Sequence, residues 1–184
     1  MDERTKDVRK KNVLLVLLIV LVGAQIAVGQ KYLAKWQDSE TLWRHIVSFA
    51  PDDLHLRITM GSVFEKEEKY KEALQEYQYG LKLDPGRLDI INNIAWLHAT
   101  SSDPEYRNGE KAVELAQKVC EASGYKSAQA LDTLAVAYAS TGQFDEAVKY
   151  AEQSMLNIQP RDEYMLRPQI SKRLKLFKEG KAYR

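Results

Sequence analysis

The chain repeats itself with a period of 34 residues, and this internal repeat constrains the fold more than any other feature of the sequence. Pro51 and Pro85 lie 34 residues apart, and Gly61 and Ala95 have the same separation. A period of this length is typical of stacked helical hairpins, in which each unit buries its apolar face against its neighbours. With only 9 Gly and 5 Pro in 184 residues, the composition also favours helices. The sequence therefore predicts an all-α solenoid.

Three copies of the pattern cover 54–87, 88–127 and 128–161. In each copy, small residues let two helices approach closely and large side chains fill the layer between them. The second copy is degenerate, with an insertion of about five residues between Ser101 and Gly109. The positions of the pattern are Arg57, Met60, Gly61, Phe64, Ala73, Tyr77 and Pro85 in the first copy, Ile91, Ile94, Ala95, His98, Ala112 and Ala116 in the second, and Leu131, Leu134, Ala135, Tyr138, Gly142, Ala147, Ala151 and Pro160 in the third.

Laid on the consensus W-x2-L-G-x2-Y, A-x3-F and P, these positions resemble tetratricopeptide repeats (TPRs) over about residues 38–160. A linker and half-repeat helix over 31–53 precede the three copies. Residues 162–184 follow them as a basic capping helix and tail, with Ile170, Leu174 and Phe177 at helical spacing. The resemblance implies a helical-hairpin solenoid whose concave groove, lined by the first helix of each repeat, binds a peptide or a partner helix.

The N-terminal region contains 19 uncharged residues, from Asn12 to Gln30. At about 1.5 Å per residue, a helix over this run reaches about 28 Å, close to the roughly 30 Å of bilayer hydrocarbon. Residues 1–12 carry a net charge of +2, which places the N-terminus in the cytoplasm by the positive-inside rule. We therefore expect 1–12 to be cytoplasmic and 13–30 to form a single transmembrane helix. The repeats are then extracytoplasmic, and periplasmic in a bacterium.

A cleaved signal peptide is the alternative interpretation of this run. The small residues before Gln25 offer an exit for cleavage after Ala24. Against cleavage, apolar residues resume at Ile26, and Tyr32 and Trp36 follow where an interfacial aromatic belt would lie. These features favour an uncleaved anchor, and both interpretations export the repeats.

Charge and motifs exclude several classes of function. The 27 Lys and Arg against 26 Asp and Glu give a net charge of +1, which does not favour a nucleic-acid binder. Cys120 is the single cysteine, so an intramolecular disulfide and a multi-cysteine zinc site are excluded, and we expect this residue to be buried. His45, His55 and His98 form no HExxH motif, and the chain contains no G-x-G-x-x-G, P-loop or G-x-S-x-G sequence. We expect no catalytic residue, no metal and no cofactor, and we expect His98 to be packed or bonded to a helix end.

A narrower resemblance lies where the apolar run meets the repeats. The segment 36–43, WQDSETLW, resembles the one that follows the last membrane helix in transmembrane and tetratricopeptide-repeat-containing proteins. These are multi-span membrane proteins related to lipid-linked-sugar-dependent O-mannosyltransferases. Residues 96–122 and 172–184 resemble the C-terminal region of the same group. The resemblance implies an extracytoplasmic repeat domain on a membrane protein; because this sequence predicts one span, no transferase activity is inferred.

The first helices of the repeats supply the candidates for partner binding. No candidate residue is Lys or Arg, so we expect the groove to lack the basic clamp with which some TPR domains hold a peptide carboxylate. Asn92 and Trp96 are the strongest candidates for ligand contact, although Trp96 has the alternative of packing against the next repeat. Trp43, in the half-repeat, is expected to be a core residue. The groove candidates are His55, Ile58, Ser62, Asn92, Trp96, Asp132 and Val136.

Charge is distributed unevenly along the chain, with −7 over 31–166 and +6 over 167–184. As a capping helix, the tail is expected to bury Ile170, Leu174 and Phe177, and to leave Lys172, Arg173, Lys175 and Lys178 in solvent. Two alternatives are that the tail lies on anionic lipid or docks on the acidic body of a second copy. A solvated surface is also expected where Glu65, Glu67, Glu68 and Glu72 alternate with Lys66, Lys69 and Lys71.

These observations predict a membrane-anchored scaffold that mediates protein–protein interaction on the extracytoplasmic side. Its partner is a protein or peptide in the groove, with no nucleic acid, and its membrane contact is made by 13–30. One alternative is an accessory or split-off C-terminal subunit of a multi-span glycosyltransferase-like membrane protein, which would itself be the partner. A further alternative is a structural subunit that uses the convex face.

Overall fold

The computed structural model of the chain describes residues 21, 22, 25, 26, 28–30 and 39–183. The first seven of these residues are helical. Residues 1–12, most of the predicted span over 13–30, and the linker over 31–38 lie outside the described residues. Within the described part of the chain, no helix has both the length and the apolar character needed to cross a bilayer.

Residues 39–183 are all-helical, which confirms the predicted all-α class for this range. The helices are α1 (Ser39–Phe49), α2 (Leu54–Lys66), α3 (Tyr70–Leu83), α4 (Leu88–Thr100), α5 (Gly109–Ala122), α6 (Ala128–Ser140), α7 (Phe144–Leu156) and α8 (Glu163–Lys178).

The chain forms two compact units, one through Phe49 and the other from Ala50 onward. In the first unit, α1 carries an i,i+4 ion pair between Glu40 and Arg44, with Nε and Oε1 2.8 Å apart. The rings of His45 and Phe49 meet edge-on with centroids 4.9 Å apart. Trp43 on the same helix is half-buried.

The second unit is a stack of helical hairpins. Helix α2 pairs with α3, α4 with α5, and α6 with α7, and each second helix also contacts the first helix of the next pair. The first helices contact one another in order, α2 with α4 and α4 with α6, and α8 continues this layer against α6. This arrangement places α2, α4, α6 and α8 along one inner layer, with α3, α5 and α7 outside.

Side-chain caps and left-handed glycines set the ends of these helices. Asp53 accepts a hydrogen bond from the Leu56 N–H at 3.0 Å, and Asn108 accepts one from the Lys111 N–H at 2.9 Å, so each satisfies a free donor of a first turn. Gly180 follows α8 with φ +66°, a conformation that favours glycine. The Lys181 N–H then donates to the Leu176 carbonyl at 2.9 Å, which reverses the chain after the helix.

The first hairpin departs from the repeat consensus at Arg57, and the structure shows how that position is used. The Arg57 guanidinium lies 4.0 Å from the centroid of the Tyr79 ring on α3. Its Nη1 also donates to Glu76 Oε2 at 2.6 Å, with both side chains mostly buried. Arg57 therefore connects the two helices of the pair through an ion pair and a cation–π contact. At Gly61 the helices approach so closely that an added Cβ would clash with the Tyr77 ring.

Helix α6 lies at the centre of the second unit. Each residue from Ala130 to Ala139 is buried, because α4, α5, α7 and α8 all contact this helix. The fully buried side chains include Leu131 and Leu134 on α6, with Ile170 and Phe177 on α8. Since α8 contributes to this core, its removal would expose apolar surface on α6 and α7.

The insertion before α5 is folded against its neighbours. His98 Nδ1 lies 2.8 Å from the Tyr106 carbonyl oxygen, and the Asn108 N–H donates to the His98 carbonyl at 2.9 Å. The hydroxyl of Tyr70 lies 3.0 Å from Ser102 Oγ. His98 is thus half-buried and bonded across the helix end, which confirms its predicted structural role.

Candidate binding groove

The inner layer of helices lines a pocket with a volume of about 270 Å³. The side chains come from helices far apart in sequence because the first helix of each pair contacts the first helix of the next. Helix α8 supplies one wall, so the tail takes part in the groove. The residues that give the pocket its chemistry are Ser62 and Glu65 from α2, Asn92 and Trp96 from α4, Asp132 from α6 and Arg173 from α8.

Asp132 and Arg173 form a buried ion pair between α6 and α8. Nε of Arg173 donates to Oδ1 at 3.0 Å and Nη2 donates to Oδ2 at 2.5 Å, and the two residues are 5% and 4% exposed. Burial raises the pKa of the Asp132 carboxyl, and the facing guanidinium opposes that rise. Because Asp132 accepts two hydrogen bonds from Arg173, its carboxylate compensates the charge of the guanidinium that lines the pocket.

The expectation that Arg173 lies in solvent is wrong. Ile170, Arg173 and Phe177 follow one another at i, i+3 and i+7, so they share one face of α8, and that face is buried. Leu174, expected in the core, is half-buried. Lys172, Lys175 and Lys178 are exposed, as predicted.

Trp96 packs against the C-terminal tail. The Arg173 guanidinium carbon lies 5.2 Å from the centroid of the Trp96 ring and 5.3 Å from that of Tyr183. The two rings are 5.9 Å apart and inclined at 52°. The chain reversal at Gly180 brings Tyr183 back to this position. Part of the Trp96 surface therefore packs against the tail rather than against the next repeat, and the half-buried side chain still lines the pocket.

Glu65, Tyr77 and Ser62 form a hydrogen-bonded group on the opposite wall. The Tyr77 hydroxyl donates to Glu65 Oε2 at 3.0 Å and lies 3.2 Å from Ser62 Oγ. Burial raises the pKa of Glu65 to about 7, against a smaller lowering by the Tyr77 hydrogen bond and the charge of Lys66. The expectation of a solvated Glu65 is wrong. The residue lies on the inner side of α2, where the buried Tyr77 of α3 contacts it. The pKa of the Glu65 carboxyl therefore lies close to neutral pH.

Asn92 has a buried polar atom without a partner. The residue is 6% exposed, and its Oδ1 accepts no hydrogen bond. Each side-chain amide oxygen can accept two hydrogen bonds, and leaving a buried acceptor empty costs about 1 to 3 kcal/mol. Asn92 lines the pocket, although its Oδ1 has almost no accessible surface.

The seven groove candidates have different exposures. Ser62, Asn92, Trp96 and Asp132 line the pocket together. His55 is exposed and Ile58 half-buried on the earlier turns of α2. Val136 is fully buried in the core, so a partner cannot reach it in this structure. Whether any of the seven binds a partner stays a prediction.

Neither the cysteine nor the acidic residues form a reactive centre in the described residues. Cys120 is fully buried, which confirms its predicted place, and burial raises the pKa of its thiol to about 12. Within the described ranges, no group of three or more His, Cys, Asp and Glu side chains is arranged to hold a metal ion.

Comparison with solved structures supports the repeat fold. The chain aligns with PilF of Pseudomonas aeruginosa, a TPR-containing protein, with a TM-score of 0.54 and 20% sequence identity. The alignment covers 88% of this chain and 77% of that one. No protein-family model and no curated protein matches the chain. The likeness shows a TPR-like fold. The resemblance to O-mannosyltransferase-related proteins stays a prediction.

Proposed function

We propose that the chain is a membrane-anchored adaptor whose groove binds a segment of a partner protein outside the cytoplasm. The observation that carries this proposal is the pocket on the inner layer, where an unpartnered acceptor at Asn92 and the half-buried Trp96 ring lie together. Buried aromatic and polar side chains in a concave site provide both affinity and orientation for a ligand. The TPR-like fold supports binding rather than turnover.

The tail limits how a partner enters. Because α8 and Tyr183 occupy one side of Trp96, we expect an extended segment to reach the pocket from the side of α2. His55 is exposed on that helix and is the natural position for a reporter. The outer helix α5 carries the exposed Lys118, which serves as a matched control on the opposite layer.

Site-specific photo-crosslinking in living cells tests the groove. A crosslinking amino acid is placed at His55 in one strain and at Lys118 in another, and the adducts are identified by mass spectrometry. The proposal predicts a discrete adduct from His55 that is absent from Lys118. Adducts from Lys118 alone would assign the interaction to the convex face and reject the groove. A multi-span sugar-transfer protein as the adduct would favour the accessory-subunit alternative.

The membrane part of the proposal rests on the uncharged run over 13–30 and the basic residues before it. Fusion of alkaline phosphatase or green fluorescent protein to the C-terminus tests it, because the first is active only outside the cytoplasm and the second fluoresces inside. The proposal predicts an active phosphatase fusion in the membrane fraction, with an intact N-terminal peptide by mass spectrometry. A fluorescent cytoplasmic fusion would reject export, and an N-terminus beginning at Gln25 would reject the anchor.

A further inference from the structure

The three most exposed large apolar side chains of the second unit lie at its C-terminal end. Leu156 ends α7, and Tyr164 and Met165 belong to the first turn of α8. They are 87%, 88% and 65% exposed, whereas Leu83, the next of this kind in the unit as described, is 40% exposed. Because the short loop over 157–162 joins the two helices, these three residues occupy one corner of the stack, the α7–α8 corner. Clustered exposed apolar side chains mark a surface that contacts a partner or a membrane.

The exposed face of α8 continues from this corner with basic residues. Tyr164, Pro168, Lys172 and Lys175 follow one another at i, i+4, i+8 and i+11, so they share one side of the helix. All four side chains are exposed, and they lie opposite the buried face of α8. An aromatic and apolar end is thus followed by two lysines along the same surface.

The two lysines are a surplus of positive charge. Among the described residues, neither Lys172 nor Lys175 forms an ion pair, and Lys175 contributes only weakly to the lowered pKa of Glu179, whose main cause is the hydrogen bond from Lys181. Each carboxylate between positions 156 and 183 already faces another cation. These pairs are Asp162 with Arg161, Glu163 with Arg167 and Glu179 with Lys181.

A second copy of the chain offers a poor match to this surface. A symmetric contact would place one corner on the other and bring the surplus lysines of both copies together, which is unfavourable. Elsewhere in the second unit as described, Leu83 is the one other exposed large apolar side chain. An anionic lipid bilayer, in contrast, presents negative phosphates and an apolar interior at the same surface, so it matches both features at once.

We propose that the α7–α8 corner and the exposed face of α8 dock on the headgroup region of an anionic lipid bilayer. Leu156, Tyr164 and Met165 enter the interface, where apolar chains and the amphipathic tyrosine ring are favourable. Lys172 and Lys175 lie over lipid phosphates, and each strengthens binding about fivefold. This inference goes beyond the proposed function, because the docking surface lies outside the groove.

An environment-sensitive fluorescent dye in the loop tests the inference on the full chain. The dye is attached to Gln159→Cys beside the corner or, as a control, to Lys118→Cys on the outer helix α5, and the unmodified chain with its buried Cys120 is the labelling control. The chain is reconstituted into vesicles of phosphatidylcholine alone, or of phosphatidylcholine and phosphatidylglycerol in equal parts. Emission of the dye reports whether its position is in water or in the bilayer.

We expect the ratio of bound to free corner, measured at position 159, to be about 25-fold higher in the anionic vesicles at low salt, since two lysines contribute about fivefold each. The difference should shrink as salt screens the charges, and the dye at position 118 should respond to neither composition. An equal ratio in the two compositions, or no response at position 159, would overturn the inference.

Two double variants with matched charge changes test the lysines. Lys172→Gln with Lys175→Gln should abolish the difference between the two lipid compositions. Lys118→Gln with Lys126→Gln makes the same charge change at exposed positions away from α8 and should keep it. A loss of the difference in both double variants would mean that net charge, and not this face, directs binding, and it would reject the inference.

A third double variant tests the apolar corner. Tyr164→Ser with Met165→Ser should weaken the response at position 159 in both lipid compositions. Because both side chains are exposed, Tm should stay that of the unmodified chain. A response that rises with protein concentration in the absence of lipid would assign the corner to contact between copies and reject lipid docking. Crosslinking from His55 reports on a different surface, so the groove proposal and this inference fail independently.

Discussion

Replacing Asp132 with alanine should leave the Arg173 guanidinium buried without its counter-ion. The two side chains are 7% and 5% exposed, so water cannot substitute for the lost carboxylate. Removing one partner of a buried ion pair costs about 3 to 5 kcal/mol, and for a chain of this size each kcal/mol shifts Tm by about 2 to 4 °C. We therefore expect Asp132→Ala to lower Tm by about 6 to 20 °C.

Thermal unfolding followed by circular dichroism measures this loss, and two further variants isolate its cause. Asp132→Leu combined with Arg173→Leu removes both charges, and it should restore the Tm of the unmodified protein to within a few degrees, because well-packed apolar pairs replace buried ion pairs at little cost. Glu163→Ala breaks the exposed pair with Arg167 on the same helix and should change Tm little.

Equal Tm values for Asp132→Ala and Glu163→Ala would mean that Arg173 is solvated and that the ion pair is not buried. A double variant that is as unstable as the single one would show that the contacts of Arg173 with Trp96 and Tyr183 carry the stability instead.

Three other predictions follow from burial and close packing. Burial raises the pKa of Glu65 to about 7, so its contribution to stability is largest below about pH 4.5 and is lost as the pH rises through 7. In urea unfolding, the free energy of unfolding of Glu65→Gln should therefore match that of the unmodified protein at pH 5 and exceed it at pH 8 by up to about 3 kcal/mol. Equal pH profiles of the two proteins would contradict this. Gly61→Ala should cost about 1 to 3 kcal/mol in the same assay through a clash with the Tyr77 ring, whereas Gly86→Ala meets only an ordinary contact and is the control. The Cys120 thiol should react with a thiol reagent only after unfolding, and labelling at the rate of a free thiol under native conditions would disprove its burial.

The repeat pattern predicted the helical class of the chain because it records local geometry. Small residues such as Gly61 recur where two helices touch, and this spacing is visible in one sequence. His98 could also be assigned a structural role from its position in the repeat. The periodicity of the sequence therefore predicts the helices and much of the core.

The composition of the pocket could not be predicted in the same way. Arg173 pairs with Asp132, which lies 41 positions earlier in the chain. Because Lys172 and Lys175 are close to it in sequence, the local pattern predicted that Arg173 is solvated as well. Glu65 stands among alternating charges, yet Tyr77 from the next helix covers it. Both errors arise because a long-range partner changes the environment of a charged residue without leaving a local pattern. The one available signal was the shared face of Ile170, Arg173 and Phe177.

Binding of the partner in the groove can be tested by measuring partner affinity in matched variants. The partner identified by crosslinking is titrated against the unmodified chain, against the double variant Asn92→Leu and Trp96→Leu, and against Lys118→Glu on the outer layer, with circular dichroism confirming that each is folded. We expect the groove variant to lose at least about tenfold in affinity while the outer variant binds normally, because central contact residues are removed. Unchanged affinity in a folded groove variant would contradict it.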